Sequence, residues 1–342
     1  MVHTIELYTT ISYKERELVE HRYGKDIRDV LNQIMLSYPQ VVLRIHQTKF
    51  RTSYNIYLYT DVIELLKRSN GIILSEDWSS IQHIIEEIAY EIFGHNQYQF
   101  TLCRIDYRLD LVVESNQHRD YLFKLWNKLA IKYSHLKKRN SKKEYGAIDG
   151  KIRCKKKEKY KTTLYFSSQA LSVCVYDKQA ERIAKKQPIK KYEENVIRFV
   201  VRLRTRHLAY NLRQKKITRN LETYFKTEMY KQYVKKYIVD IFGKGNFYKI
   251  NAVRKLLIGK GIKKQEQENI IAFLKAISKK GVEGSIGYRP TSKSKEGYSR
   301  YLIKKYRNLL DDMRVNIILL PMKWPNTESV LINPLSKVDL EI

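Results

Sequence analysis

A chain of 342 residues can bury a substantial core and accommodate two domains. Its 66 Lys and Arg against 36 Asp and Glu give a net charge of +30, which points to a polyanionic partner, nucleic acid or an anionic membrane surface. No run of 18 apolar residues is present, so no spanning helix is expected. The segment MVHTIELYTT lacks the basic and apolar blocks of a signal peptide. Cys103, Cys154 and Cys174 stand in no paired-thiol spacing, which fits a reduced cytoplasm and argues against a thiolate zinc site. Tyrosine is abundant at 27, but AT-rich codon usage accounts for much of that, and the count alone identifies no stacking platform.

In chain order, residues 3–9, 40–46 and 54–60 are rich in Ile, Val, Leu and Tyr and read as strands. Helices are expected at 60–68 and 78–93. QFTLCRIDYRLDLVV (99–113) is a strand by alternation. Cys103, Ile105, Tyr107, Leu109 and Leu111 form its apolar face; Arg104, Asp106, Arg108 and Asp110 form a charged one. Leu122, Leu125, Trp126 and Leu129 make 116–136 an amphipathic helix. A basic loop follows over 137–161, either a solvated connection or a DNA-backbone contact that follows phosphates by charge. Strands are expected at 162–167 and 171–176, joined by SSQA, and at 195–205. The chain to about 314 reads as mostly helical, broken at GKGN and over the Gly-rich 281–297 stretch, with no internal repeat. The fold class expected is α+β: an antiparallel sheet with covering helices over 1–215, then a mainly helical unit over 216–342.

Three strands carry unusual polar faces. Strand 195–205 buries Ile197, Phe199, Val201 and Leu203 by period two and turns Arg198, Val200, Arg202 and Arg204 the other way. Strand 99–113 offers Asp106 between Arg104 and Arg108. Strand 171–176 ends on Tyr176, and a charged, helix-compatible segment begins at once. Arginines grip phosphate bidentately, carboxylates hold a hard divalent cation, and a tyrosine oxygen can attack phosphorus. With an ordinary pKa near 10, that tyrosine needs a metal or a nearby lysine, and Lys178 is close in sequence. On a helix starting after Tyr176, Glu181 returns to the same end of the sheet. Alone, Tyr-Asp-Lys at a strand end is commonplace, and charged alternation is usually a wet sheet face; the order of the pieces carries the reading.

That order, CRIDYRLD (103–110), TTLYFSSQALSVCVYDKQAER (162–182) and VIRFVVRLRTRHL (196–208), resembles rolling-circle replication initiators, in particular the replication endonucleases of filamentous phages and their plasmid relatives, the gene II/X family. YNIYLYTDVIELLKRSNGI (54–72) and YSRYLIKKYRNLLDDM (298–313) resemble segments before and after the nickase core there. The resemblance implies an HUH-like sheet with a degenerate histidine pair and a divalent metal, Mg²⁺ or Mn²⁺. It further implies nicking of one origin strand with a covalent 5′-phosphotyrosine and a 3′-OH primer. It places the nucleophile on Tyr176, the accompanying lysine on Lys178, metal carboxylates on Asp106 and Glu181, and an arginine on Arg198.

Asp110 is a further ligand candidate, ranked below Asp106 and Glu181 because four residues along a strand span about 13 Å. Arg104, Arg198, Arg202 and Arg204 are the expected DNA contacts. The family's glutamate position holds Val200, which removes a ligand or arginine partner. No His-hydrophobe-His pair exists, and His207 is expected at the surface or a helix cap. The expected partners are origin DNA, single-stranded or supercoiled, with host helicase and DNA polymerase, since no Gly-rich ATP loop is present; no membrane contact is expected. A mobilisation relaxase, an origin-binding protein impaired in cleavage and a basic RNA-binding protein are the alternatives.

Overall fold

The computed structural model describes residues 1–50, 52–95, 97–129, 162–285, 297–324 and 328–339. β1 (Val2–Ser12) runs into α1 (Tyr13–Tyr23), where Ser12 and Glu15 form a reciprocal capping box. α2 (Ile27–Ser37) follows, capped by Asp26. Next come β2 (Val41–Gln47), β3 (Ser53–Asp61), the single turn α3 (Val62–Leu65) and α4 (Trp78–Phe93). β4 (Thr101–Val112) and α5 (Asn116–Leu129) lead to residues 130–161, outside the described residues, where the expected basic loop, Cys154 and the end of the 116–136 helix fall. β5 (Thr163–Ser167), β6 (Leu171–Asp177), α6 (Lys178–Ala184), β7 (Val196–Arg204) and α7 (Thr205–Lys215) complete the first 215 residues.

The seven strands form one antiparallel sheet in the order β2-β3-β1-β4-β7-β6-β5. Period two then separates two faces. Ile5, Leu7, Ile56, Leu58, Ile105, Tyr107, Val173, Val175, Ile197, Phe199, Val201 and Leu203 point to the core, which α2, α4 and α5 cover. The fold is therefore α+β, as the pattern predicts.

Two irregularities change what alternation alone predicts. Leu7 lies opposite Leu102 while Glu6 lies opposite Arg104, so Cys103 is the extra residue of a bulge. Leu102 takes the core position, and the Cys103 thiol donates to the Glu6 carbonyl at 3.2 Å instead of lining the apolar face. A second shift, between Val2 opposite Tyr107 and Thr4 opposite Asp106, leaves His3 as an extra residue.

The boundary expected near 215 falls between α7 and α8 (Leu221–Phe225), and elements on both sides share one core. The Tyr107 hydroxyl donates to the Tyr224 carbonyl at 2.7 Å, and its ring stacks on Tyr233 of α9 (Thr227–Val234). A π-helical turn, Lys235–Val239, carries the chain to α10 (Asp240–Phe242), where Phe242 meets Trp126 and Phe199 edge-on at 5.8 and 5.4 Å. His207, expected at the surface or a cap, lies inside α7, half-buried against the Tyr233 hydroxyl at 2.8 Å, and burial pushes its pKa down to about 4. Helices α11 (Ile250–Gly259), α12 (Lys264–Ser285) and α13 (Arg300–Asp312) and a two-stranded ribbon, β8 (Phe247–Tyr248) with β9 (Val330–Leu331), finish the chain. Among the described residues, no helix is long and apolar enough to cross a membrane.

If sheet and later helices share one core, Phe242→Ala should cost about 3–5 kcal/mol, the usual range for emptying a buried aromatic site. It should also lower a single thermal transition. Two separable transitions by calorimetry would show that the two parts unfold independently.

Candidate functional site

The polar sheet face is organised in cross-strand rows. Tyr176, Arg198 and Asp110 lie side by side on β6, β7 and β4; Cys174, Val200 and Arg108 form the next row; Ser172, Arg202, Asp106, Thr4 and Asp61 form a third. Strand pairing thus brings together residues as distant in sequence as Thr4 and Arg202.

Asp177 explains how Tyr176 is presented. Its Oδ1 accepts from the backbone N–H groups of Gln179 and Ala180 at 3.0 and 3.2 Å, capping α6, while Oδ2 meets Arg119 at 2.8 Å. The strand therefore turns into a helix directly after Tyr176. Helical spacing then puts Lys178, Glu181 and Lys185 on one side: Lys178 Nζ lies 2.5 Å from Glu181, and Lys185 Nζ lies 2.7 Å from its other oxygen. Glu193, on the 3₁₀ turn Lys191–Glu193, takes two bonds from Arg182 at 2.6 and 2.8 Å and lies 3.4 Å from Lys178.

These groups line a cavity of about 480 Å³ together with His3, Tyr59, Asp61, Tyr192 and Arg198. The bulge aims His3 into it. His3 Nδ1 lies 2.8 Å from the Thr4 hydroxyl and Nε2 lies 3.3 Å from Asp61. With the threonine hydroxyl donating to Nδ1, Nε2–H faces the carboxylate. Burial, then the neighbouring Arg198, hold His3 well below its ordinary pKa, so it is neutral. On the far side Gly71 has φ +68, and a Cβ there would come within 2.6 Å of the Tyr192 ring; its carbonyl accepts from Arg108. Only glycine allows that approach.

Burial raises the Tyr176 phenol well above its ordinary value, with Arg198 opposing. Burial and Arg198 lower the Lys178 ammonium, with Glu181 opposing. The phenol is thus harder to ionise and the ammonium easier to deprotonate than either free group, and both line the same cavity.

The carboxylates expected as metal ligands are arranged differently. Asp106 is buried and receives Arg104 at 2.9 and 2.6 Å and Arg202 at 3.0 and 2.9 Å. Asp110 receives Arg198 bidentately at 2.8 and 2.9 Å, with Arg108 at 3.4 Å. Glu181 is held by two lysines. Among the described residues, no three His, Cys, Asp or Glu side chains converge as a cation site. In this arrangement Asp106, Asp110 and Glu181 do not fit one divalent cation, because each is neutralised by its own basic partners and Asp106 and Asp110 stand on separate rows. The alternation that put them on one face could not reveal these pairings.

The expected DNA arginines divide. Arg198 is almost wholly buried, and its bond to Asp110 keeps it charged despite burial. Arg104 is pinned to Asp106; Arg204 donates to the Ser168 carbonyl at 3.1 Å; Arg202 is the more open of the Asp106 pair. Val200 does lie on the polar face, directly opposite Arg108, but it is buried there. Nη1 of Arg108 has no hydrogen-bond partner among the described residues. Val200 therefore stands opposite a residue whose guanidinium is only half satisfied. His3, Asp61 and Glu193 were not singled out by sequence. A bulge leaves no signature in VHTIELY, and Glu193 comes from an irregular turn.

Neither protein-family models nor curated proteins match this chain.

Two outcomes follow. Asp106→Asn should destabilise the protein at pH 7 by on the order of 3 kcal/mol, because two guanidinium groups lose their counter-charge. The Asp106 carboxyl is held below its ordinary pKa by Arg104 and Arg202 against the opposing effect of burial. Its contribution is therefore present above pH 4 and lost as pH falls through the lowered folded value. Denaturant titrations of both proteins should show the gap narrowing toward pH 3 and below; a constant gap would remove the ion-pair account. At position 200, Val200→Glu should leave the melting temperature within a few degrees, since Arg108 offsets the burial of its charge, whereas Val200→Lys should lower it strongly beside Arg108, Arg198 and Arg202. Equal damage from both would show that volume, not charge, governs the position.

Proposed function

We propose that this protein acts on DNA as a tyrosine-dependent strand-nicking enzyme, and that a rolling-circle replication origin is its target. The observation that carries the reading is the placement of Tyr176: a phenol at a strand end, on the wall of a cavity that also holds a buried arginine, a lysine of lowered basicity and a neutral histidine. The net charge of +30 supports a polyanionic substrate.

In the reaction, Arg198 uses Nε and Nη2 on Asp110 and keeps Nη1 toward the cavity, 3.5 Å from His3, for a phosphoryl oxygen. Tyr176 Oη attacks phosphorus as its proton passes to Lys178 Nζ, which must first give up a proton of its own from the ion pair with Glu181. The P–O3′ bond breaks, the 3′ oxygen takes up a proton, and the 5′ end stays on the tyrosine as a phosphodiester. Reversal reseals the strand, so one site both nicks and closes. The same chemistry on a transferred plasmid would make the chain a mobilisation relaxase. A divalent cation belongs to the family resemblance, but no step is routed through one here, because the carboxylates lie in arginine and lysine pairs. Those pairs also favour a second reading, an origin-binding protein impaired in cleavage.

A denaturing gel of protein incubated with supercoiled plasmid or single-stranded origin DNA, with and without Mg²⁺ or Mn²⁺, tests this. Wild type should form a covalent adduct and Tyr176→Phe none, with DNA binding retained. Adduct formation should accelerate as pH rises through the depressed Lys178 pKa, below its ordinary 10.5. In Lys178→Arg, which keeps the charge and cannot lose a proton, the profile should flatten and the rate fall by about 10²-fold or more. An adduct in Tyr176→Phe would place the nucleophile elsewhere. Binding without any adduct in wild type would favour the second reading.

A further inference from the structure

The polar face beyond the arginine–aspartate rows has a different character. Tyr8 on β1 lies opposite Tyr57 on β3, which lies opposite Arg44 on edge strand β2; Glu6 lies opposite Tyr59, and Asn55 opposite His46. The Tyr8 and Tyr57 rings stack, 5.9 Å apart at 30°, and His46 meets Tyr57 edge-on at 5.8 Å. The Arg104 guanidinium lies over Tyr59 at 5.4 Å and that of Arg219 over Tyr8 at 5.6 Å. Arg44, His46 and Tyr59 are exposed, while Tyr8 and Tyr57 are half-buried. The carboxylate in this row, Glu6, is 4.0 Å from Arg104.

Cross-strand tyrosine pairs are ordinary sheet chemistry when another layer covers them. Here the rings stand on the face opposite the core, interleaved with arginines. Tyr59 belongs to this face and also to the wall of the Tyr176 cavity. From β3 to β6 is four strand spacings, about 19 Å. A flexible anionic chain lying across the cavity would therefore pass directly onto the rings.

We infer that the face carrying Tyr8, Tyr57, Tyr59 and Arg44 is a stacking surface for unpaired DNA bases, continuous with the Tyr176 cavity. The inference rests on reading the chain as a DNA-acting protein. Arginines draw the backbone by charge, and the exposed Tyr59 ring with the half-buried Tyr8 and Tyr57 rings offers π-surface to any base without regard to sequence. Bases inside a duplex are already stacked on each other and cannot use it. The face thus distinguishes the melted strand from its duplex, which a site built on phosphate contacts alone cannot do.

The test uses the full chain and fluorescence anisotropy with a labelled oligothymidylate, a duplex of equal length and an oligouridylate, at one salt concentration. Tyr57→Leu, and more so Tyr8→Leu with Tyr57→Leu, should weaken oligothymidylate binding on the order of ten-fold per ring, while Tyr57→Phe stays within about two-fold. Duplex binding should not change. A separate variant, Tyr57→Trp, should gain indole fluorescence that oligothymidylate quenches, a readout that holds even if the leucine variants lose stability. Oligothymidylate affinity indifferent to loss of the rings in folded variants, or indole fluorescence that is not quenched, would overturn the inference. Tighter binding of oligouridylate than of oligothymidylate would replace DNA by RNA as the occupant and overturn it too. Ring-dependent binding without any tyrosine adduct would sink the nicking proposal alone, and an adduct with ring-independent binding would sink this inference alone.

Discussion

The pairing of β4 with β7 through arginine and aspartate is the interaction on which the remaining architecture depends. These are the central strands of the candidate site, and both their faces are largely buried. A strand sealed on two sides is ordinarily apolar on both. Here one face instead carries Arg198 on Asp110 and Arg104 with Arg202 on Asp106. Charges so placed are tolerable only because each guanidinium meets a carboxylate in bidentate or near-bidentate geometry. Those bonds fix the rotamers of the long side chains, and Arg198 in turn fixes the electrostatics around Tyr176, Lys178 and His3.

That arrangement has two sides. It supplies the positive potential that would stabilise a phosphoryl group, and it uses the carboxylates that a cation would need. Arg198 joins the two sides: Nε and Nη2 close on Asp110, while Nη1 lies 3.5 Å from His3 on the cavity wall. Lys178 sits among Arg198, Glu181 and Glu193, so small changes in those neighbours shift its proton affinity in opposite directions. The site is therefore tuned by a network and not by a single pair.

Much of the framework was legible in the sequence because it follows period two. The strands around 99–113, 171–176 and 195–205, the helix at 78–93, the turn of the chain at Tyr176 and the polar placement of Val200 all follow from alternation, amphipathicity and the charged run after Tyr176. What alternation could not give is which charges meet across strands. Asp106 and Asp110 read equally well as cation ligands or as arginine partners until β4 is registered against β7. The bulges at His3 and Cys103 insert one residue without any compositional mark, so His3 entered the cavity and Cys103 left the core face unannounced. Tyr8 and Tyr57 were hidden in an abundance of tyrosine that composition alone could not interpret.

The backbone N–H of Val113 donates to the carbonyl of Asn195 at 2.9 Å. The β4–β7 seam thus begins where a long excursion closes, and that excursion contains α5, β5, β6, α6 and residues 130–161. Tyr176 and Lys178 ride on it, while Arg198 and Asp110 stand on the seam. Closure entropy grows only logarithmically with loop length. The cost of bringing Val113 to Asn195 is therefore set by the whole stretch between them and changes little with its exact length. The same hydrogen bond closes the register that sets Tyr176 against Arg198.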